Sequence, residues 1–371
     1  IRIDNATSGQ IVYQETLPAT ANNWTTFKTK SIDLSEEAKA ITGKHTVYLI
    51  FNKLASADDG NKYIINIDWF KFYNEGDSSP TALGNKVMYA QGCDVGGTKN
   101  QTLFDEAVAM AKEADYVILA LGTDLNTSDE SHDRKSLNLP GAQQQLLETV
   151  YAANKKTIAV LVTCSSLTIN WAQENIPAIM SAWYDGQEQG QAISDVIFGN
   201  YNPGGKLTTT WYNSVSDLPS DLTNYDIRGA KYTYMYHDKT PLYPFGFGLS
   251  YTTFEYENCK AAVEGDKVKV SLEVKNTGDC DGKEVVQVYF GAPQGALGKP
   301  AKQLAGFKKT DVIKCGESQN VTIEFDIDSM ASYDDSGITG NKSCYVLESG
   351  DYEIFVGTNV RDCEAVFTLN I

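Results

Sequence analysis

The residues best suited to chemistry lie in one short polar segment, residues 122–134. The segment contains four carboxyl groups, one histidine and one arginine within thirteen residues. In a loop of this kind, acidic neighbours and partial burial raise the pKa of a carboxylic acid, so that it can donate a proton near neutrality. Asp133 and Arg134 are adjacent and are expected to form an ion pair that holds the loop in shape. On composition alone a solvated acidic loop explains the same residues, so both interpretations stay open.

Predicted strands and helices alternate along the chain on both sides of this segment. Residues 116–122 form an apolar run without polar alternation, which predicts a strand buried on both faces. Helical spacing or short apolar runs predict further helices at 103–114, 142–153 and 187–198, and strands at 157–163 and 178–184. Such alternation predicts a mostly parallel sheet with helices on both sides. Because ligand sites lie at the carboxyl ends of such strands, segment 122–134 is a candidate site.

The flanking regions have a different pattern. Residues 1–76 and 258–371 contain short alternating runs separated by turn residues, which is typical of β-sheet domains. The C-terminal region, with about 110 residues of such spacing, predicts an immunoglobulin-like sandwich. We therefore predict a multi-domain α/β plus all-β protein with domains at 1–76, 77–257 and 258–371. The opening Ile-Arg-Ile-Asp reads as strand interior and is typical of a mature chain or a fragment.

Composition and spacing exclude several functions. Lys plus Arg number 31 and Asp plus Glu number 48, which gives a net charge of −17. This charge disfavours nucleic acid and anionic membrane surfaces as partners. The three histidines and seven cysteines show no zinc-ligand spacing, so no metal site is predicted. Cys164, in an apolar run, is expected to be a buried free thiol, and one or two disulfides stay open among the five cysteines after residue 256.

Several motifs resemble one enzyme family. Glu-Ser-His-Asp-Arg at 130–134 and Leu-Asn-Leu-Pro-Gly at 137–141 resemble the second domain of glycoside hydrolase family 3, an α/β sandwich. Further matching motifs lie at 182–188, 198–207 and 241–251. Residues 276–289 resemble the fibronectin-type-III-like domain that often follows it. The resemblance covers most of the chain and implies a β-xylosidase or β-glucosidase.

This resemblance implies a retaining mechanism with two carboxyl groups. Glu130 matches the general acid/base, with Asp129 and Asp124 as alternatives. The nucleophilic Asp belongs to a preceding (β/α)8 barrel, whose motif does not occur in this sequence. Ser131 stands where the family often has glycine, which reduces backbone freedom beside Glu130. The expected partner is a β-linked oligosaccharide or polysaccharide, and the rival interpretation is a non-catalytic carbohydrate-binding fragment.

The first 75 residues resemble the latter part of a family 6 carbohydrate-binding module, a jelly-roll β-sandwich. The resemblance implies that Trp24 stacks on a sugar ring and that Asn66 hydrogen-bonds its hydroxyl groups. The alternative for Trp24 is a tryptophan in the core. No cofactor is expected, although such modules suit a structural calcium ion, for which the sequence identifies no ligands. The implied substrates indicate an extracellular or periplasmic location.

Overall fold

The computed structural model describes residues 2–3, 10–11, 47–48, 87–130, 134–221 and 223–371. The chain divides into two compact units, Ile1–Val87 and Met88–Ile371. In the first unit, β1 (Arg2–Ile3) pairs antiparallel with both β2 (Gln10–Ile11) and β3 (Val47–Tyr48). The predicted sugar-binding residues Trp24 and Asn66 lie outside the described residues, so the carbohydrate-binding module stays a prediction.

Strands and helices alternate through the first part of the larger unit. Their order is α1 (Gln101–Glu113), β4 (Val117–Gly122), α2 (Gln143–Ala153), β5 (Thr157–Val162), α3 (Asn170–Asn175), β6 (Ala178–Ser181) and α4 (Gln189–Ile197). The three strands form a parallel sheet in the order β4-β5-β6, which confirms the predicted parallel sheet. Helix α1 begins after Asn100, whose side chain accepts hydrogen bonds from the Thr102 and Leu103 amides. Such an N-cap satisfies amides that have no partner within the helix.

The prediction that the first of these strands is buried on both faces is wrong. Side chains along β4 alternate in exposure, and Ile118 is 47% exposed. In the described part of the chain β4 pairs only with β5, whereas β5 lies between two strands and buries Ala159, Val160 and Leu161. Only the end of β4, at Leu121 and Gly122, is fully buried. The candidate loop therefore leaves a strand that is fixed at its carboxyl end.

Helix α2 packs against α1 on one side and against the sheet on the other. Its Leu146 and Val150 pack with Phe104 of α1, while Leu147, at the next position of the helix, packs with Leu161 of β5. All of these side chains are at most 2% exposed. Burying a leucine contributes roughly 1.5–3 kcal/mol relative to exposing it, so this helix is a major part of the domain core.

The C-terminal part is a β-sandwich. Its strands are β7 (Phe254–Glu264), β8 (Lys267–Asn276), β9 (Val285–Gly291), β10 (Gln303–Lys309), β11 (Ser318–Asp326), β12 (Ser332–Asp334), β13 (Cys344–Val346), β14 (Asp351–Gly357) and β15 (Cys363–Asn370). Two antiparallel sheets, β11-β8-β7 and β10-β9-β14-β15, share one core. Alternate residues of β8, from Val268 to Val274, pack against Val286 and Val288 of β9. The predicted sandwich is thus confirmed.

The aromatic stretch between the two parts packs against both of them. Gly246 donates its amide to the Leu207 carbonyl at 2.8 Å and accepts from the Gln287 side chain of β9 at 3.0 Å. Phe245 stacks on Tyr234 of the short helix α5 (Thr233–Tyr236), with ring centroids 4.2 Å apart. These contacts show that the aromatic residues within 231–256 pack between the α/β part and the β-sandwich.

The structure contradicts one of the predictions made for the cysteines, the burial of Cys164. All seven are free thiols in this structure, so the disulfides left open by the sequence are not formed in it. Cys164 is free as predicted but exposed rather than buried. The reason is that β5 ends at Val162, which places Cys164 in the loop beyond the strand.

Candidate active site

The candidate loop begins with a tight turn. Thr123 is buried, and the Asp124 carboxylate accepts hydrogen bonds from the amides of Asn126 and Thr127 and from the Thr127 hydroxyl group. Desolvation alone would raise the pKa of Asp124, but the hydrogen bonds from Thr127 and Asn126 outweigh it and lower the pKa. An ionised, hydrogen-bonded Asp124 is poorly suited to donate a proton, which favours Glu130 over Asp124 as the acid.

Glu130 is exposed at the far side of this loop. Its amide donates a hydrogen bond to the Asp129 carboxylate at 2.7 Å. The partial burial considered in the sequence analysis is therefore not provided by this chain. Residues 131–133 lie outside the described ranges, so the ion pair between Asp133 and Arg134 stays a prediction. The Glu130 side chain is therefore accessible from solvent in the part of the chain that the structure describes.

Arg134 attaches the end of the loop to the neighbouring strand connection. Its Nη2 atom donates to the Ser165 hydroxyl group at 2.8 Å and to the Ser166 carbonyl at 2.9 Å. Its Nη1 atom is buried and has no hydrogen-bond partner among the described residues, which exclude 131–133. The guanidinium group thus anchors the acidic loop to the loop that follows β5.

Three loops meet at the carboxyl ends of the parallel strands. The Tyr184 hydroxyl group, beyond β6, lies 2.6 Å from the Thr123 hydroxyl group, beyond β4. Ser128 Oγ lies 3.4 Å from Cys164 Sγ, beyond β5. Sequence reasoning missed Cys164 and Tyr184 as site residues. The available signal was their place at or just after the ends of the strands predicted at 157–163 and 178–184, although the observed strands end earlier, at Val162 and Ser181.

The chain turns sharply before Tyr184. Trp183 has a φ of 51°, in the left-handed region that bulky side chains rarely occupy. Such strain persists only where the surrounding structure enforces it, and it is concentrated at functional sites. The strained residue directly precedes the tyrosine that contacts the acidic loop.

Gln143 fixes the root of the loop. Gln143 is the first residue of α2 and is only 2% exposed. Its side chain forms two hydrogen bonds with the backbone of Gly122. Oε1 accepts from the Gly122 amide at 2.7 Å, and Nε2 donates to the Gly122 carbonyl at 2.8 Å. The Nε2 atom also donates to the Val95 carbonyl at 2.8 Å. One amide side chain therefore ties together α2, the end of β4 and the segment before α1.

The site is built from a carboxylic acid, hydroxyl groups, a thiol and aromatic rings. Within the described ranges, no group of three or more side chains is arranged to hold a metal ion. No helix in those ranges has the length and apolar character to cross a membrane. An exposed carboxylic acid in a loop at this edge of the sheet suits acid/base chemistry.

Comparison with known proteins shows which families of domains this chain matches. The profile described as "Glycosyl hydrolase family 3 C-terminal domain" matches residues 10–251, and "Fibronectin type III-like domain" matches residues 284–360. A β-xylosidase of Formosa agariphila is 40% identical over 283 residues, which cover 74% of this chain and 38% of that protein. β-Glucosidase B of Emericella nidulans is 36% identical over 288 residues, which cover 71% of this chain and 33% of that protein.

A solved structure has the same fold. The family 3 β-glucosidase of Bifidobacterium adolescentis superposes with a TM-score of 0.71 and 34% identity, over 78% of this chain and 44% of that one. The chain thus spans less than half of the length of each of these proteins. The first match also extends over most of residues 1–76, which the sequence analysis assigned to a separate module. The chain belongs to glycosyl hydrolase family 3, of which it contains the C-terminal domain followed by a fibronectin type III-like domain.

Proposed function

We propose that this chain is the C-terminal portion of a retaining, exo-acting β-glycosidase that hydrolyses terminal β-xylosides of xylan or xylo-oligosaccharides. Glu130 is the general acid/base. The observation that supports this role is the position of Glu130, in a loop at the carboxyl ends of parallel strands within a family 3 domain. The sequence Glu-Ser-His-Asp-Arg at 130–134 supports the same choice.

The mechanism requires a second carboxyl group. In the first step, Glu130 protonates the glycosidic oxygen while a carboxylate nucleophile attacks the anomeric carbon; in the second, Glu130 accepts a proton from the attacking water. Retention of configuration requires the two carboxyl groups about 5–5.5 Å apart. We place the nucleophilic Asp in a (β/α)8 barrel outside this chain, on the same or another polypeptide. Packing of that barrel over the exposed Glu130 would exclude water from around its carboxyl group.

The choice of xyloside rests on a small difference between relatives. The Formosa β-xylosidase is 40% identical and the Emericella β-glucosidase 36% identical to this chain. A β-glucosidase is therefore the alternative, favoured by the family 3 β-glucosidase structure. Hydrolysis of aryl β-xyloside and aryl β-glucoside by the full-length protein decides between them, and a clear glucoside preference contradicts our choice.

The role of Glu130 is tested by leaving-group dependence. In the full-length enzyme, Glu130→Ala should reduce kcat/KM for natural xylosides by roughly 10²–10⁴-fold, while substrates with very acidic leaving groups lose far less. Added azide should restore turnover of the activated substrates, because a small nucleophile needs no general base. Asp129→Ala is the matched control and should lack this pattern. Equal losses on both substrate types would contradict the role.

We further propose that residues 1–76 act as a partial carbohydrate-binding module, and that the protein works outside the cytoplasm. Trp24 would stack on a sugar and Asn66 would bind its hydroxyl groups. Alone, this chain should bind carbohydrate without hydrolysing it, since it lacks the barrel. Turnover by the purified chain would contradict this proposal, and Trp24→Ala with unchanged xylan affinity would contradict the role of Trp24.

A further inference from the structure

We infer that Tyr184 binds the leaving-group side of the substrate, where its ring stacks on the sugar that departs from, or accepts, the glycosyl group. This inference deepens the proposed function and rests on it. It assigns a specificity-determining residue that lies outside the acidic loop. The supporting observations are the fixed hydroxyl group of Tyr184, its exposed ring, its link to the loop of Glu130 and the strained turn before it.

The hydroxyl group of Tyr184 is fixed by a contact, whereas the rest of the side chain is partly exposed to solvent. Its hydroxyl group lies 2.6 Å from the hydroxyl group of Thr123, which is only 6% exposed. Tyr184 itself is 39% exposed. A ring that is anchored at one end and exposed at the surface is preorganised for contact, because little side-chain entropy remains to be lost on binding.

The anchored ring belongs to the surroundings of Glu130. The Tyr184 hydroxyl group interacts with the Cys164 thiol, and Cys164 Sγ lies 3.4 Å from Ser128 Oγ. Ser128 is two residues before Glu130 in the same loop. Tyr184 is therefore linked through Cys164 to the loop that contains Glu130, at a residue two positions before Glu130.

The backbone supports a positional role. Trp183 lies two residues beyond the end of β6 and is held in the left-handed region at a φ of 51°, and the next residue, Tyr184, contacts Thr123. Backbone strain of this kind persists only where the surrounding structure enforces it, which indicates that the position of the segment is fixed.

The chemistry of the ring fits a pyranose on the side away from the nucleophile. Glu130 must reach the glycosidic oxygen, and the glycone on one side of that oxygen faces the nucleophile, which we place outside this chain. Groups of this chain beside Glu130 then face the other side. An aromatic ring offers an apolar face to the C–H groups of a sugar, while the contact with Thr123 occupies the hydroxyl group. Burial of the hydroxyl group raises the pKa of Tyr184, so the ring stays neutral.

The test is the partition between transfer and hydrolysis in the full-length enzyme. An activated aryl glycoside serves as donor, and methyl β-xyloside at fixed concentration serves as acceptor. In transfer, the bond from the anomeric carbon to the enzyme carboxylate breaks, a bond to the acceptor oxygen forms, and the acceptor proton passes to Glu130. Tyr184→Ala should lower the ratio of transfer product to hydrolysis product by about fivefold. Tyr184→Phe and Tyr184→Trp keep an aromatic ring and should stay within about twofold of the natural enzyme.

Two further variants define the outcome. Tyr201→Ala is the matched control, because Tyr201 is 48% exposed but lies beyond the C-terminus of α4, away from the carboxyl ends of the strands. If the alanine variant does not fold, Tyr184→Leu repeats the test with a side chain of similar packing volume. An unchanged ratio in the folded variant overturns the inference while aryl glycoside hydrolysis still supports the proposed function. Absence of hydrolysis in the natural full-length protein contradicts the proposed function itself.

Discussion

Lys206 and Glu284 form an ion pair across the junction between the family 3 domain and the β-sandwich. Lys206 Nζ lies 2.9 Å from Glu284 Oε1, and only 12% and 8% of the two side chains are exposed. Lys206 also donates to the Gly248 carbonyl at 3.1 Å. The pair therefore links the loop after α4 to the start of β9, beside the aromatic segment that packs on both domains.

Removing one member of this pair should destabilise the protein strongly. Lys206→Met leaves the buried Glu284 carboxylate without its partner, which we expect to cost about 3–5 kcal/mol. The double variant with Glu284→Gln should recover much of this loss, because no unpaired charge remains. The free energy of unfolding from chemical denaturation provides the measurement.

A surface pair provides the control for this prediction. Lys275 lies 3.9 Å from Glu257, and both side chains are more than 40% exposed. Lys275→Met should cost less than about 1 kcal/mol, because water screens and solvates both charges. Similar losses for Lys206→Met and Lys275→Met would show that the buried pair is not stabilising the junction.

Gly122 should be irreplaceable at the root of the candidate loop. Its φ is 150°, and a Cβ atom there would lie 1.7 Å from the Val162 carbonyl oxygen. Gly122→Ala must therefore separate the ends of β4 and β5, at an expected cost of about 3 kcal/mol or more. Gly205→Ala is the control, because a Cβ atom at Gly205 meets nothing within 4 Å. Denaturant midpoints of the two variants compare them, and equal midpoints would contradict the prediction.

The elements of the fold were predictable where periodicity is strong. The sequence predicts strands at 157–163 and 178–184, and the structure has them at Thr157–Val162 and Ala178–Ser181. Strand β10 (Gln303–Lys309) was not predicted, because Gly306 and a register shift after Leu304 interrupt its alternation. The exposure of β4 was missed because an apolar run has the same pattern at the edge of a sheet as in its centre.

The site was only partly predictable. The Glu130 loop could be found from its charge density and its place after an apolar strand. The contacts of Thr123 with Tyr184 and of Ser128 with Cys164 join residues 61 and 36 positions apart. Such contacts depend on strand order and on where each strand ends, neither of which local sequence patterns determine. Cys164 was expected to be buried because it ends an apolar run, whereas β5 ends two residues earlier, at Val162.

Asp334 should make stability sensitive to strong acid. Its fully buried carboxylate accepts hydrogen bonds from Ser336, Gly337, Ile338 and Thr339. Burial raises the pKa of Asp334, but the hydrogen bonds from Thr339, Gly337 and Ser336 outweigh burial and hold the pKa far below its usual value. A depressed carboxyl pKa adds stability above the unfolded pKa of about 3.9, and this stability is lost as the pH falls further.

Asp334→Asn should therefore lower the thermal midpoint at pH 7 and flatten its decline below about pH 4. The asparagine NH2 group would face amides that now donate to a carboxylate, so the loop loses several hydrogen bonds. The exposed neighbour provides the control, since Asp335→Asn should change neither the midpoint nor its slope. Parallel acid profiles for the natural protein and Asp334→Asn would contradict this account.

His237 should make stability fall at mildly acidic pH, in a separate range. It is 5% exposed and packs edge-on against Tyr212, and its buried Nε2 atom has no hydrogen-bond partner in the part of the chain that the structure describes. Burial lowers the pKa of His237, and the positive charge of Arg361 lowers it further, although Asp217 opposes this effect. His237 therefore binds a proton less readily in the folded state than in the unfolded chain, where a histidine is protonated below about pH 6.5. The free energy of unfolding decreases as the pH falls through that value.

Between pH 7.5 and 5.5 the contribution of His237 is at most about 1.4 kcal/mol, set by the titration of one unfolded histidine. His237→Phe keeps the edge-on ring contact with Tyr212 and removes the titrating group. This variant should lose less stability between the two pH values than the natural protein, as measured by the free energy of unfolding at each pH. An identical loss in both proteins would assign the pH dependence to other groups, because Asp334 titrates only in stronger acid.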